Sequence, residues 1–69
     1  MDNKIGLKIK TERVKRNISQ ERLAELANLS RPTIGAIERG QKSPTFNTLE
    51  SIAEAFGITV QELCNFDNL

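Results

Sequence analysis

Residues 19–40 contain two short helical patterns separated by a tight turn, and this arrangement constrains the fold more than any other feature of the chain. Ser19 is a good N-cap for the first pattern, because its hydroxyl can accept a hydrogen bond from a backbone N–H of the first turn. The helix is predicted to end near Ala27. Asn28 follows, and Asn tolerates the left-handed conformation that often ends a helix.

The second pattern has equally clear ends. Ser30 is its N-cap, and Pro32 falls in its first turn, where the missing N–H of proline costs nothing. Gly40 is predicted to stop the helix at about Arg39.

The second helix has two unlike faces. Ile34 and Ile37 lie on one face, and small and basic residues lie on the other. This is the pattern of a helix-turn-helix unit, in which one helix is packed and the next is offered to a DNA groove. The pattern therefore favours sequence-specific binding to double-stranded DNA.

Three further helical patterns flank this pair. They predict an all-α fold, a compact bundle of five short helices with a central helix-turn-helix. The further helices are predicted from Lys4 to Arg16, from a cap at Thr45 or Asn47 to Phe56, and after a cap at Thr59. The apolar residues expected on the inner faces are Ile5, Ile9, Val14, Leu23, Leu26, Ala27, Ile34, Ile37, Leu49, Ile52, Ala53 and Phe56.

The length of 69 residues fits a single domain over residues 1–69, with its core at 4–64. The tail at 65–69 is expected to fray unless a partner orders it. Two roles are open for the apolar residues of this end, which either seal the edge of the core or form a contact between two copies. They are Leu63, Phe66 and Leu69.

Composition excludes several classes of protein. No apolar run approaches the ~20 residues of a membrane span, and the N-terminus lacks the apolar stretch of a signal peptide. Cys64 is the only cysteine, so no internal disulfide forms, which fits a cytoplasmic protein. Without His and with one Cys, neither a metal site nor a cofactor is expected, and nothing is present to carry out catalysis.

The charge is unevenly distributed. Residues 1–44 hold ten basic and five acidic residues, a difference of +5, whereas residues 45–69 hold four acidic and no basic residues. Such a chain can present a basic face to phosphates and turn its acidic end away. An ordinary solvated surface with chance segregation is the alternative.

The order and spacing of several segments resemble the lambda-repressor-like, or Cro/repressor-type, helix-turn-helix domains. The resemblance covers about residues 5–64. The matching segments are Ser19-Gln20 with Leu23-Ala24, the run from Ile34 through Ile37-Glu38-Arg39-Gly40, Pro44 with Thr48-Leu49, and residues 52–59. The resemblance implies a bacterial or phage transcriptional regulator that binds operator DNA as a homodimer, with no small-molecule effector evident.

Two positions depart from the family pattern. Asn28 stands where the family often has Gly, which the left-handed tolerance of Asn permits. Pro32 occupies a position that carries a base-reading side chain in many relatives, so this chain must read DNA without a donor there.

The start of the third helix holds the candidate base-reading residues. Arg31 can donate two parallel hydrogen bonds to guanine, and a phosphate clamp is its alternative role. Thr33 can contact a phosphate or a thymine methyl group, and Ser30 is first a helix cap. Gly35 and Ala36 are small enough to let the helix sit deep in the groove, although Gly35 can equally serve close packing against another helix.

Other residues are candidates for phosphate contacts. Gln20 begins the second helix, where the resemblance implies that it binds a phosphate and braces the recognition helix. Arg39, Lys42 and Ser43 follow the recognition helix and are expected to hold the flanking strand. Lys10 and Lys15 are equally compatible with phosphate contacts and with a solvated face.

The resemblance also implies a structural ion pair. Glu38 is unexpected on a DNA-binding surface, and in the family the corresponding Glu pairs with an Arg of the first helix, here Arg13. Such a partly buried pair fixes the angle between helices more than it adds stability.

Two kinds of alternative remain open at this point. A restriction-modification controller or the antitoxin of a toxin–antitoxin pair has the same fold and also binds DNA. A protein-interaction module without DNA binding is the alternative from another class, and it predicts no salt-dependent affinity for DNA.

Overall fold

The computed structural model describes residues 3–67 and 69, which form five helices and no strand. Their bounds are Lys4–Lys15 (α1), Gln20–Ala27 (α2), Arg31–Glu38 (α3), Phe46–Phe56 (α4) and Val60–Leu63 (α5). The predicted all-α bundle of five short helices is confirmed. Residues 1, 2 and 68 of the predicted domain lie outside the described residues.

Side-chain caps begin four of the helices. Ser19, Ser30, Thr45 and Thr59 each accept a hydrogen bond from the backbone N–H three residues later, at 2.9 to 3.2 Å. Thr45, and not Asn47, therefore caps α4. Each cap satisfies a backbone donor that has no partner within the helix, and caps of this kind contribute about 1 kcal/mol.

Asn28 ends α2 in the left-handed conformation as predicted, with φ 56° and ψ 45°, and Gly57 ends α4 in the same conformation, with φ 72°. Asn17 adopts the same conformation after α1, at φ 56°, a feature that the sequence pattern did not reveal. The turns at Asn28 and Gly57 fold α3 back onto α2 and α5 back onto α4.

The core lies where α2 packs against α3 and α4 while α1 covers α3. Its buried apolar residues are Ile9, Leu23, Ala24, Ala27, Ile34, Ile37, Ile52, Ala53, Phe56 and Leu63. Ile34 and Ile37 of α3 are buried completely or almost so, and the exposed residues of this helix are Arg31 and Pro32 in its first turn. Leu63 is fully buried and therefore seals the core, whereas Leu69 is 45% exposed.

The prediction that Val14 faces inward is wrong, since this residue is 58% exposed. Gly6, Ile9 and Glu12 form the buried face of α1. At about 100° per residue, Val14 lies about 140° from Ile9, on the outer side of the helix. Gly6 is buried because α1 crosses α3 closely there, and a Cβ would collide with the carbonyl oxygen of Ile37.

The prediction that Leu26 faces inward is also wrong, since it is 45% exposed. The buried face of α2 consists of Leu23, Ala24 and Ala27. Leu26 lies about 100° from the centre of that face, so its side chain reaches solvent.

The helices of the described residues are short, the longest being the 12 residues of α1. None of them has both the length and the apolar character that crossing a lipid bilayer demands.

Candidate DNA-binding surface

The first turn of α3 presents Arg31 to solvent. Arg31 is exposed, and its side chain makes no hydrogen bond or ion pair with any residue that the structure describes. Pro32 continues the turn, and the half-buried Thr33 shares a 2.7 Å hydrogen bond between its Oγ1 and Ser30 Oγ. The guanidinium of Arg31 is therefore free to meet a partner, while Ser30 and Thr33 stiffen the turn that carries it.

A buried charged group fixes α3 relative to α1. Arg13 Nε lies 2.7 Å from Glu38 Oε2, and Arg13 Nη2 donates to Glu38 Oε1 at 3.1 Å. The two side chains are only 13% and 3% exposed. Arg13 Nη1 also donates to the carbonyl oxygen of Ile18, at 3.0 Å, so α1 holds the turn before α2 as well. This buried, hydrogen-bonded ion pair sets the angle between α1 and α3.

Gln20 joins the same group from the start of α2. Its Nε2 donates to Glu38 Oε1 at 3.0 Å. An ionised carboxylate only accepts hydrogen bonds, so the amide must turn its N–H group to Glu38 and its carbonyl oxygen the other way. The carbonyl lies toward Gly35, where a Cβ would be 3.6 Å from Gln20 Oε1.

Gly35 is buried and Ala36 is half-buried. A Cβ on Gly35 would lie 3.0 Å from Arg39 Nη1, so the side chains of Gln20 and Arg39 cover this glycine. Gly35 is therefore packed beneath one side chain from α2 and one from the residue that follows α3. Gly35 does not itself form the free surface of α3.

The end of α3 carries further exposed polar groups. Arg39 donates from Nε to Gln41 Oε1 at 3.1 Å, and Lys42 and Ser43 are exposed in the turn that follows. Gln20, Gly35 and Arg39 are thus brought together around one side of α3. Gln41 was missed in the sequence, because a single Gln in a loop gives no periodic signal.

The sequence also gave no sign of a buried carboxylate on α1. Glu12 is 7% exposed and pairs with Arg16 at 2.6 Å, Lys8 at 3.4 Å and Lys15 at 3.5 Å. The hydrogen bond from Arg16 is the largest cause that lowers the pKa of Glu12, and Lys8 and Lys15 lower it further. Part of the positive charge of α1 is therefore neutralised within the domain. Lys10 remains exposed on this helix.

Comparisons with known proteins agree with this geometry. A family model described as helix-turn-helix matches residues 9–63. The immunity repressor protein of Bacillus phage phi105 is 42% identical over 65 residues, which cover 94% of this chain and 45% of that protein. Control protein C.SmaI of Serratia marcescens is 43% identical over 47 residues, 68% of this chain and 56% of that protein. The chain thus spans about half the length of these curated relatives.

Solved structures are similar over more of their length. The restriction-modification controller protein C.AhdI from Aeromonas hydrophila aligns with a TM-score of 0.85 and 35% identity, over 87% of this chain and 91% of that one. The N-terminal DNA binding domain of SinR from Bacillus subtilis aligns with a TM-score of 0.88 and 26% identity, over 99% of this chain and all of that one.

Proposed function

The chain belongs to the helix-turn-helix family of DNA-binding transcriptional regulators, and on that premise we propose that it inserts the start of α3 into the major groove of an operator. The observation that carries this proposal is that Arg31 is exposed and its side chain has no partner among the described residues. Its guanidinium stands in the exposed first turn of a helix whose later residues are buried or half-buried, and no described residue engages it. A rigidly mounted helix end with a free bidentate donor suits reading of base edges.

In this proposal Arg31 donates to guanine O6 and N7, and Thr33 contacts a phosphate or places its methyl group against a thymine. Ser30 mainly caps α3, because its hydroxyl already accepts from the backbone N–H of Thr33. Ala36 is half-buried, and its small side chain allows α3 to approach the groove closely. A phosphate clamp remains the alternative role of Arg31.

Phosphate contacts are assigned to Gln20, Arg39, Lys42 and Ser43. They come from the start of α2 and from the residues that directly follow α3. Contacts to the phosphate backbone of DNA set the register of the protein on the duplex and supply most of the salt-dependent affinity. Gly35 is likewise proposed to let α3 sit close to the DNA, and its burial beneath the side chains of Gln20 and Arg39 adds a packing role.

We further propose that residues 1–69 act as a single domain with its core at 4–64, and that it binds as a homodimer on a palindromic operator in the cytoplasm. Two recognition helices of a dimer lie about 34 Å apart, one turn of DNA. The exposed Leu69 and half-buried Phe66 are available for a contact between copies, whereas Leu63 belongs to the core. Regulation follows from occupancy of the operator, without a small-molecule effector.

Control of a restriction-modification system is a second candidate role. Its support is the alignment with controller protein C.AhdI, which extends over 91% of that chain at 35% identity. The antitoxin role has no comparable support among the relatives described above. The genes that neighbour this one distinguish the roles directly.

Selection of bound sites from a random duplex library tests the function. Enrichment of a motif with two half-sites one helical turn apart is the expected result, and a steep loss of affinity with salt accompanies it. A library that returns no motif would contradict sequence-specific binding. A motif without symmetry would contradict the homodimer alone.

A further inference from the structure

Arg39 folds back along α3 instead of extending from the helix end into solvent. A Cβ built on Gly35 lies 3.0 Å from Arg39 Nη1 and 3.8 Å from its Cζ. The two residues are four apart in sequence, so they lie on one face of the helix. The guanidinium thus lies closer to the Cβ position of residue 35 than ordinary van der Waals contact allows, and Gly35 is buried while Arg39 remains exposed.

Two glutamines lie near this guanidinium. Gln41 accepts a hydrogen bond from Arg39 Nε at 3.1 Å. Gln20 Oε1 lies 3.6 Å from the same Cβ position at Gly35 that Arg39 Nη1 approaches. The orientation of Gln20 is not arbitrary, because its Nε2 donates to the buried carboxylate of Glu38. The buried ion pair thereby also fixes the orientation of the Gln20 side chain.

We infer that Gly35 and Gln41 are positioning residues for Arg39, and that they hold its guanidinium beside Gln20, ready to meet a DNA phosphate. The inference deepens the proposed function and rests on the phosphate contact of Arg39 stated there. An arginine that is ordered before binding loses less side-chain entropy when the complex forms. Gly35 provides the space for this order, and Gln41 provides the hydrogen bond.

The substitution Gly35→Ala separates this role from a contribution to folding. Alanine is a better helix former than glycine, and the atom it meets is the far end of a flexible side chain, which moves aside. The thermal midpoint is therefore expected to stay unchanged or rise. Affinity for the operator is expected to fall about 2- to 10-fold, the cost of ordering one long side chain.

A double-mutant cycle supplies the decisive comparison. In an Arg39→Ala background, Gly35→Ala should weaken DNA binding no further, because the side chain that it displaces is absent. Gln41→Ala should behave in the same way. Equal losses in both backgrounds would mean that position 35 acts through the approach of the α3 backbone to DNA, and would overturn the inference.

The free protein gives an independent measurement. The Nε–Hε resonance of Arg39 should shift in Gly35→Ala and in Gln41→Ala, and an unchanged resonance would contradict the packing described here. A wild-type chain that binds no duplex DNA would overturn the proposed function and this inference together. Wild-type binding with additive losses in the cycle would overturn the inference alone.

Discussion

The guanidinium of Arg13 and the carboxylate of Glu38 meet at two points, at 2.7 Å and 3.1 Å, and join α1 to α3 across 25 residues of sequence. The same carboxylate accepts from Gln20 at the start of α2. Three helices therefore converge on one buried negative charge. The orientation of α3 relative to α1 and α2 depends on these three side chains, although none of them is expected to read a base.

Replacement of Arg13 by alanine should destabilise the fold by about 3 kcal/mol or more, because it leaves Glu38 buried without its cation. Urea unfolding followed by circular dichroism measures the change. Arg13→Lys keeps the charge but cannot make the two-point contact, so an intermediate loss is expected. A loss below about 1 kcal/mol for Arg13→Ala would mean that the pair is effectively solvated.

Arg31→Ala should weaken operator binding by about 1–3 kcal/mol and relax the preference at one base position. Titration of operator variants that differ at single positions measures both effects. Arg22→Ala is the matched control, since it removes an exposed arginine of α2 that pairs only with Glu25, at 3.5 Å, among the described residues. Equal weakening on all sequences would assign Arg31 to a phosphate instead.

Lys42→Ala should lower affinity for operator and non-operator DNA by the same factor. Each phosphate contact contributes about 0.9 to the slope of log affinity against log salt concentration, so the slope should become shallower by about that amount. Binding measured between ~50 and ~200 mM salt gives this slope. A slope equal to that of the wild type would remove Lys42 from the phosphate contacts.

The ion pairs around Glu12 should make the stability of the fold depend on pH in the acid range. The pKa of Glu12 is lowered in the folded protein from its usual value of 4.5, mainly by the hydrogen bond from Arg16. Its contribution to stability is therefore complete above pH 4.5 and is lost as the pH falls through the lower folded value. Unfolding free energies measured across this range should fall less in Glu12→Gln than in the wild type.

Glu50→Gln is the control for that measurement, because Glu50 is exposed on α4 and forms no ion pair with the residues described. It should retain the acid dependence of the wild type. If Glu12→Gln retained it as well, the acid dependence would have to arise elsewhere.

The ends of the helices were readable in the sequence because their causes are local. Ser19 and Ser30 cap the following turns with their own hydroxyl groups, and Asn28 adopts the left-handed conformation at the position expected of it. Each of these interactions spans four residues or fewer, so no knowledge of the rest of the fold is required.

The faces of the helices were less readable. Val14 and Leu26 are apolar and stand near helical spacing, yet both are exposed, because a short helix offers several apolar stripes and packing selects only one. Glu12 was overlooked for the converse reason. A charged residue gives no sign of burial until the cations that surround it are known.

For the site, the sequence by itself determined which residues begin and end α3, and so placed Arg31 at its exposed start. Only the tertiary structure decided that Arg39 folds over Gly35 beside Gln20. The physical reason is the range of the interactions. Caps and turns are settled within a few residues, whereas the positions of Arg13, Glu38 and Gln20 follow from packing between helices that are far apart in the chain.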